Sequence, residues 1–161
     1  LNTEVHRPMN ANIKLLPEAV SIVEAGSKQA VLESLAQQFA ATYGVDSDIV
    51  LESLEEREAL GSTGFGRGVA IPHARIDTVN RPVAVVVRLS DAVDFDAADG
   101  LPVDLVFGLL SPTNAGAGHL HALAAISRTV RDDAICQSMK EAPTAEALYS
   151  MLTNVSDRDV A

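Results

Sequence analysis

Pro82-Val-Ala-Val-Val-Val-Arg-Leu89 and Val103-Asp-Leu-Val-Phe-Gly-Leu-Leu110 decide the architecture of this chain. Both are near-continuous apolar runs, and a strand that reads this way is covered on both faces. The segments around them read as helices. Ser27 stands as an N-cap before Val31, Leu32, Leu35, Ala36 and Phe39. Those residues recur at helical spacing over about Lys28 to Thr42, with Gly44 past the end. Asp46 or Ser47 caps a second helix whose apolar side is Ile49, Val50, Leu54 and Leu60, and Gly61 ends it. Downstream, Ser111 to Gly118 reads as a loop and His119 to Arg131 as a helix with Leu120, Leu123, Ser127 and Val130 on one side. A short helix runs from Asp132 or Asp133 through Met139. Thr144 caps a last one carrying Leu148 and Leu152. This order predicts an α/β (mixed α+β) domain in three layers, a mixed central β-sheet of about five strands flanked by helices on both faces.

Between the second helix and the first long strand lies Gly61-Ser-Thr-Gly-Phe-Gly-Arg-Gly68. Four glycines in eight residues exclude a helix interior and predict a loop open to unusual backbone angles or to a ligand. Val69 to Ile71 predicts a short strand. Pro72 is expected to stop its regular pairing, and His73 follows at once.

Composition narrows the function. The 161 residues fit one domain. Apolar residues are 47% and aromatics 4%, so Ala, Leu and Val must build the core. A net charge of −10 without any block of Lys and Arg sets nucleic acid aside. No apolar run approaches the ~20 residues of a membrane span, so no membrane insertion is expected. The single cysteine, Cys136, cannot form an internal disulfide. That points to a reducing compartment and a cytoplasmic location, with Cys136 an inert, partly buried thiol. Residues 1–10 are expected to be a flexible N-terminus or tag remnant, 11–155 the folded domain, and 156–161 a flexible C-terminus.

The stretch from Arg57 to His73 carries the chemistry. Backbone N–H groups in a glycine-rich loop can form an anion-binding nest. Ser62, Thr63, Gly64, Phe65, Gly66 and Gly68 are the candidates, with hydroxyls from Ser62 and Thr63. Arg57 could add a fixed charge able to bind phosphate through two donors. It could equally be one charge on the solvated run Glu55-Glu56-Arg57-Glu58. Pro72 restrains the backbone before His73, whose imidazole has a lone pair available near neutral pH. Phosphoryl transfer needs mainly positioning and charge stabilisation. His119 is the candidate second group. His121 lies about 200° round the helix and so faces nearly the opposite way. The loop lacks the Lys-Ser/Thr of a P-loop, the histidines lack zinc-ligand clustering, and no nucleophile elbow is present. No metal and no cofactor is expected. Phe65 suits either an apolar docking patch or packing beneath the loop.

The segment Arg57-Glu-Ala-Leu-Gly-Ser-Thr-Gly-Phe-Gly-Arg-Gly-Val-Ala-Ile-Pro-His73 resembles the enzyme IIA family of the phosphoenolpyruvate-dependent phosphotransferase system. It is most similar to the mannitol/fructose type, and within it to the nitrogen-regulatory (PtsN-like) branch. Pro102 to Leu110 and Gly118-His119-Leu120-His121 carry the same resemblance, which spans roughly Ile13 to Leu152. The resemblance implies a phosphohistidine carrier, with His73 phosphorylated by an HPr/NPr-type carrier protein. His119 falls on the second active-site histidine, Arg57 on the arginine beside the phosphohistidine, and His121 on an extra histidine of the nitrogen type. Ala74 replaces a common Gly and Arg75 a common Lys. The implied partners are the HPr/NPr-type carrier and either regulatory target proteins or a IIB domain. The Gly-Ser-Thr-Gly loop, and a chain without IIB or IIC domains, favour regulation over sugar uptake through a IIB cysteine. A protein-binding module with a vestigial site is the remaining alternative.

Overall fold

The computed structural model describes residues 12–160, with side chains through Thr153. The N-terminal segment expected to be flexible, 1–10, lies outside the described residues, as does Ala161. Six strands form one sheet: β1 (Val20–Val23), β2 (Gly64–Gly66), β3 (Val69–Ala70), β4 (His73–Ile76), β5 (Val83–Val93) and β6 (Val103–Pro112). Among the described residues five α-helices accompany it: α1 (Lys28–Tyr43), α2 (Ser47–Ala59), α3 (Ala117–Arg131), α4 (Asp133–Lys140) and α5 (Ala145–Val160). The strand order is β1-β5-β6-β3-β2, and β4 also pairs with β6. β5 and β6 are antiparallel, whereas β1 joins β5, and β3 and β4 join β6, in parallel. The sheet is therefore mixed. No helix among the described residues is long and apolar enough to cross a membrane.

The two long strands are apolar throughout because each of their faces is covered. Val83, Val85, Val87 and Leu89 of β5 enter a core with Val31, Leu35 and Phe39 of α1 and Val50 and Leu54 of α2. Ala84 and Val86 enter the other, with Ile126 of α3, Met139 of α4 and Leu148 of α5. Alternation along the strand thus sorts the residues into two cores. Gly108 in the middle of β6 lets α1 approach: a Cβ there would lie 3.0 Å from the Phe39 ring.

The helix signals operate as local chemistry predicts. Ser27 accepts from Ala30 N–H, and Gly44, in the left-handed region at φ 75°, closes α1. Asp46 accepts from the N–H groups of Asp48 and Ile49 at the start of α2.

Several expectations need correction. β1 is a strand that the sequence pattern does not predict. Residues 61–68 are not simply a loop, since Gly64–Gly66 pairs antiparallel with β3 in a tight hairpin. Pro72 does not stop the pairing. Val69 faces Leu105 and His73 faces Leu109, so the register is the same on both sides of the proline. The Pro72 carbonyl still accepts from Leu109 N–H at 3.0 Å, and only the donor that proline lacks is missing. Ser111 and Pro112 belong to β6 rather than to a loop. α3 begins at Ala117, and its buried face is His119, Ala122, Ala125, Ile126, Thr129 and Val130. Leu120, expected on the apolar side, is 63% exposed. On α2 only Val50 and Leu54 are buried; Ile49 is 48% exposed and Leu60, just past the helix, 84%.

Candidate functional site

His73 is the first residue of β4, at the point where α2, the hairpin and the first turn of α3 converge. Its Nδ1 lies 2.7 Å from the carbonyl oxygen of Ile71. A carbonyl can only accept, so Nδ1 carries the proton and Nε2 carries the lone pair. Arg57 reaches that lone pair from α2, its Nε donating to His73 Nε2 at 3.3 Å. The guanidinium is anchored in turn by Nη1 donating to the carbonyl of Gly61 at 2.8 Å. Arg57 is therefore not merely one charge on a solvated helix face.

The His73 ring is half-buried. Burial is the main reason its pKa is lowered, and the Arg57 charge lowers it further. The Ile71 contact and Glu58 oppose that shift. The net effect keeps the imidazole neutral at pH 7.

His119 lies in the first turns of α3 with its ring centroid 5.5 Å from that of His73, tilted by 50°. It is 6% exposed, and its Nδ1 sits 2.7 Å from Ser111 Oγ. Burial, then the charges of Arg75 and His73, push its pKa down to about 4. Both rings are thus neutral at physiological pH. His121 is exposed on the other side of the helix.

A cavity of about 410 Å³ brings Arg57, His73, Arg75 and His119 together, with Ser53, Glu56, Leu60 and Ala74 completing its wall. A second, of about 380 Å³, lies against Arg57, Ser62, Thr63, Gly64, Phe65, Ile71 and His73. The loop candidates divide accordingly. Ser62 to Phe65 reach the histidine, whereas Gly66 and Gly68 line neither cavity and flank Arg67 at the hairpin turn. The hydroxyls expected to face an anion are engaged within the protein. Ser62 Oγ donates to the Phe95 carbonyl at 2.6 Å, and Thr63 Oγ1 donates to the Glu58 carboxylate. Phe65 is half-buried and packs on the core beneath α3.

Sequence reasoning missed two supporting residues. Glu58 is only 6% exposed at its side chain, accepts from Thr63 N–H at 3.1 Å and pairs with Lys28 Nζ at 2.9 Å. It belongs to a run of charges that reads as a solvated face. Ser111 was hidden in a stretch that reads as loop; its full burial, inside a strand, gives it a role. Among the described residues no three His, Cys, Asp or Glu side chains gather to hold a metal ion.

An unprotonated ring nitrogen, fixed in one tautomer and met by an arginine, has the chemistry to act as a nucleophile toward an anionic electrophile. Comparison with known proteins identifies the family. The model of the family described as "Phosphoenolpyruvate-dependent sugar phosphotransferase system, EIIA 2" matches residues 15–155, and the chain belongs to that family. The resemblance read from Arg57 to His73 is thereby borne out. Among its relatives is a nitrogen regulatory protein of Bradyrhizobium diazoefficiens, 42% identical over 137 residues, which span 84% of this chain and 90% of the relative. Another is a PTS system fructose-specific EIIA component of Haloferax volcanii, 34% identical over 140 residues, 86% of this chain and 91% of the relative. The crystal structure of nitrogen regulatory protein IIA-Ntr from Neisseria meningitidis superposes with a TM-score of 0.76 at 35% identity, covering 93% of this chain and 98% of that one.

Proposed function

We propose that this protein is a cytoplasmic phosphohistidine carrier that accepts a phosphoryl group on Nε2 of His73 from an HPr/NPr-type protein. The observation that carries this reading is the contact of His73 Nδ1 with the Ile71 carbonyl, which leaves the Nε2 lone pair directed at Arg57. In the transfer, Nε2 forms a bond to phosphorus as the donor's N–P bond breaks, and the donor imidazole leaves with its electron pair. His73 keeps its Nδ1 proton, so the phosphorylated ring carries positive charge, and the Ile71 carbonyl stabilises that charge. Arg57 turns its donors from Nε2 to the phosphoryl oxygens. His119 lies close enough to hydrogen-bond the group or to steady the His73 ring.

The regulatory role is favoured by the relatives named nitrogen regulatory protein at up to 43% identity. A sugar-uptake role, passing the phosphoryl group to a IIB cysteine, draws support from the fructose-specific relative.

The test is incubation with labelled phosphoenolpyruvate, enzyme I and HPr. The wild type should become labelled and His73→Ala should not. Labelling of His73→Ala at the wild-type rate would reject the assignment. Addition of a IIB domain separates the two roles, because only the sugar-uptake reading predicts rapid loss of label to its cysteine.

A further inference from the structure

Arg75 stands two residues past His73 on β4, and side chains two apart on a strand share a face. Ala74 and Ile76 are buried in the core beneath α1 and α2, so His73 and Arg75 face the other way, toward α3. Both line the cavity that holds Arg57 and His119.

The two arginines are held very differently. Arg57 is fixed, with one donor on the reacting nitrogen and another on Gly61. Arg75 is exposed, and among the described residues its guanidinium reaches only the Gly116 carbonyl, through Nη2 at 3.5 Å, where α3 begins. Among the described residues no carboxylate pairs with it. Its charge nevertheless acts across the cavity, being one cause of the low pKa of His119. A phosphorylated donor approaching this protein meets a net charge of −10, with Glu56 in the cavity wall itself. Reaching His73 therefore requires local attraction.

We infer that Arg75 is the capture residue of this site: its exposed guanidinium engages the dianionic phosphoryl group of the incoming donor protein and guides it to His73 Nε2, while Arg57 acts on the group during transfer. The inference rests on the carrier reading. An exposed charge at the rim of a binding site governs association and its salt dependence, whereas a donor aimed at the reacting atoms governs the chemical step.

The experiment is steady-state transfer from phosphorylated HPr to the wild type, Arg75→Gln and Arg75→Lys at low and moderate salt. Arg75→Gln should raise KM for the donor about tenfold, leave kcat within about twofold and flatten the salt dependence. Arg75→Lys, which keeps the charge, should restore KM to within about twofold of wild type. Proton NMR titration of His119 gives an independent readout, since its pKa should rise in Arg75→Gln and not in Arg75→Lys. An unchanged KM in Arg75→Gln, or a fall in kcat at unchanged KM, overturns the inference and leaves the carrier reading intact. Absence of transfer to the wild type overturns both.

Discussion

Ser111 Oγ lies 2.7 Å from His119 Nδ1 where the end of β6 passes beneath the first turns of α3, and the serine is fully enclosed. A hydroxyl both donates and accepts, so Ser111 can follow either tautomer of His119 as charge changes on the neighbouring ring. Ser111→Ala leaves a buried ring nitrogen without a partner. It should reduce unfolding free energy by about 1–3 kcal/mol in urea titration. An unaltered midpoint and slope would mean the contact contributes nothing.

Arg57 donates to His73 Nε2, the accepting atom on the proposed carrier reading, so its loss should appear in kcat rather than in donor affinity. Arg57→Gln is expected to slow transfer about a hundredfold, the scale seen when one donor to a developing charge is removed. Single-turnover rates at saturating donor measure this directly. A wild-type rate would show that the guanidinium only holds the Gly61 corner.

Gly64 is pressed against the loop that follows β5. A Cβ on it would lie 2.7 Å from the Ala97 Cβ and 2.9 Å from the Ala97 Cα, and the latter is backbone that cannot swing aside. Gly64→Ala should destabilise the fold by about 1–3 kcal/mol through overpacking. Ala97→Gly in the same chain should recover part of that loss, because it removes the closer of the two clashes. Chemical denaturation of the single and double variants tests the pair.

The histidines also set a pH dependence. Both have folded-state pKa values below the ordinary 6.5, and that of His119 is about 4. Below 6.5 the unfolded chain takes up protons that the folded chain refuses. Stability from this source is therefore complete above pH 6.5 and drains away as pH falls toward 4. In His119→Asn the fall in unfolding free energy between pH 6.5 and 4 should be shallower than in the wild type. Equal slopes would place the acid sensitivity elsewhere.

Legibility from sequence followed how local each determinant is. α1 could be read almost to its ends because Ser27 and Gly44 act within a single turn. β5 and β6 could be read because burial on both faces leaves an unbroken apolar run. β1 escaped notice: it has four residues at the sheet edge, of which only Val20 is fully buried. β4 was obscured because Pro72 suggests an end, whereas a parallel neighbour can accept one missing donor and continue. Arg57, His73 and His119 were legible as candidates, but what holds them was not. The partners Ile71 carbonyl and Ser111 lie in backbone geometry and in a strand extension that no spacing announces. Leu60 and Leu120 fit helical apolar stripes yet remain in solvent, because tertiary packing selects which part of a stripe the sheet covers.

The unbroken pairing of β3 and β4 along β6 fixes more than a direction. From Val69 opposite Leu105 to His73 opposite Leu109, the spacing between partners never changes. Successive residues alternate between the two cores, so deleting or inserting one residue between Ala70 and His73 would rotate the imidazole into the hydrophobic layer under α1 and α2. The His73 ring is placed by a count of residues. Such a segment can exchange one side chain for another over evolutionary time, but it cannot change its length.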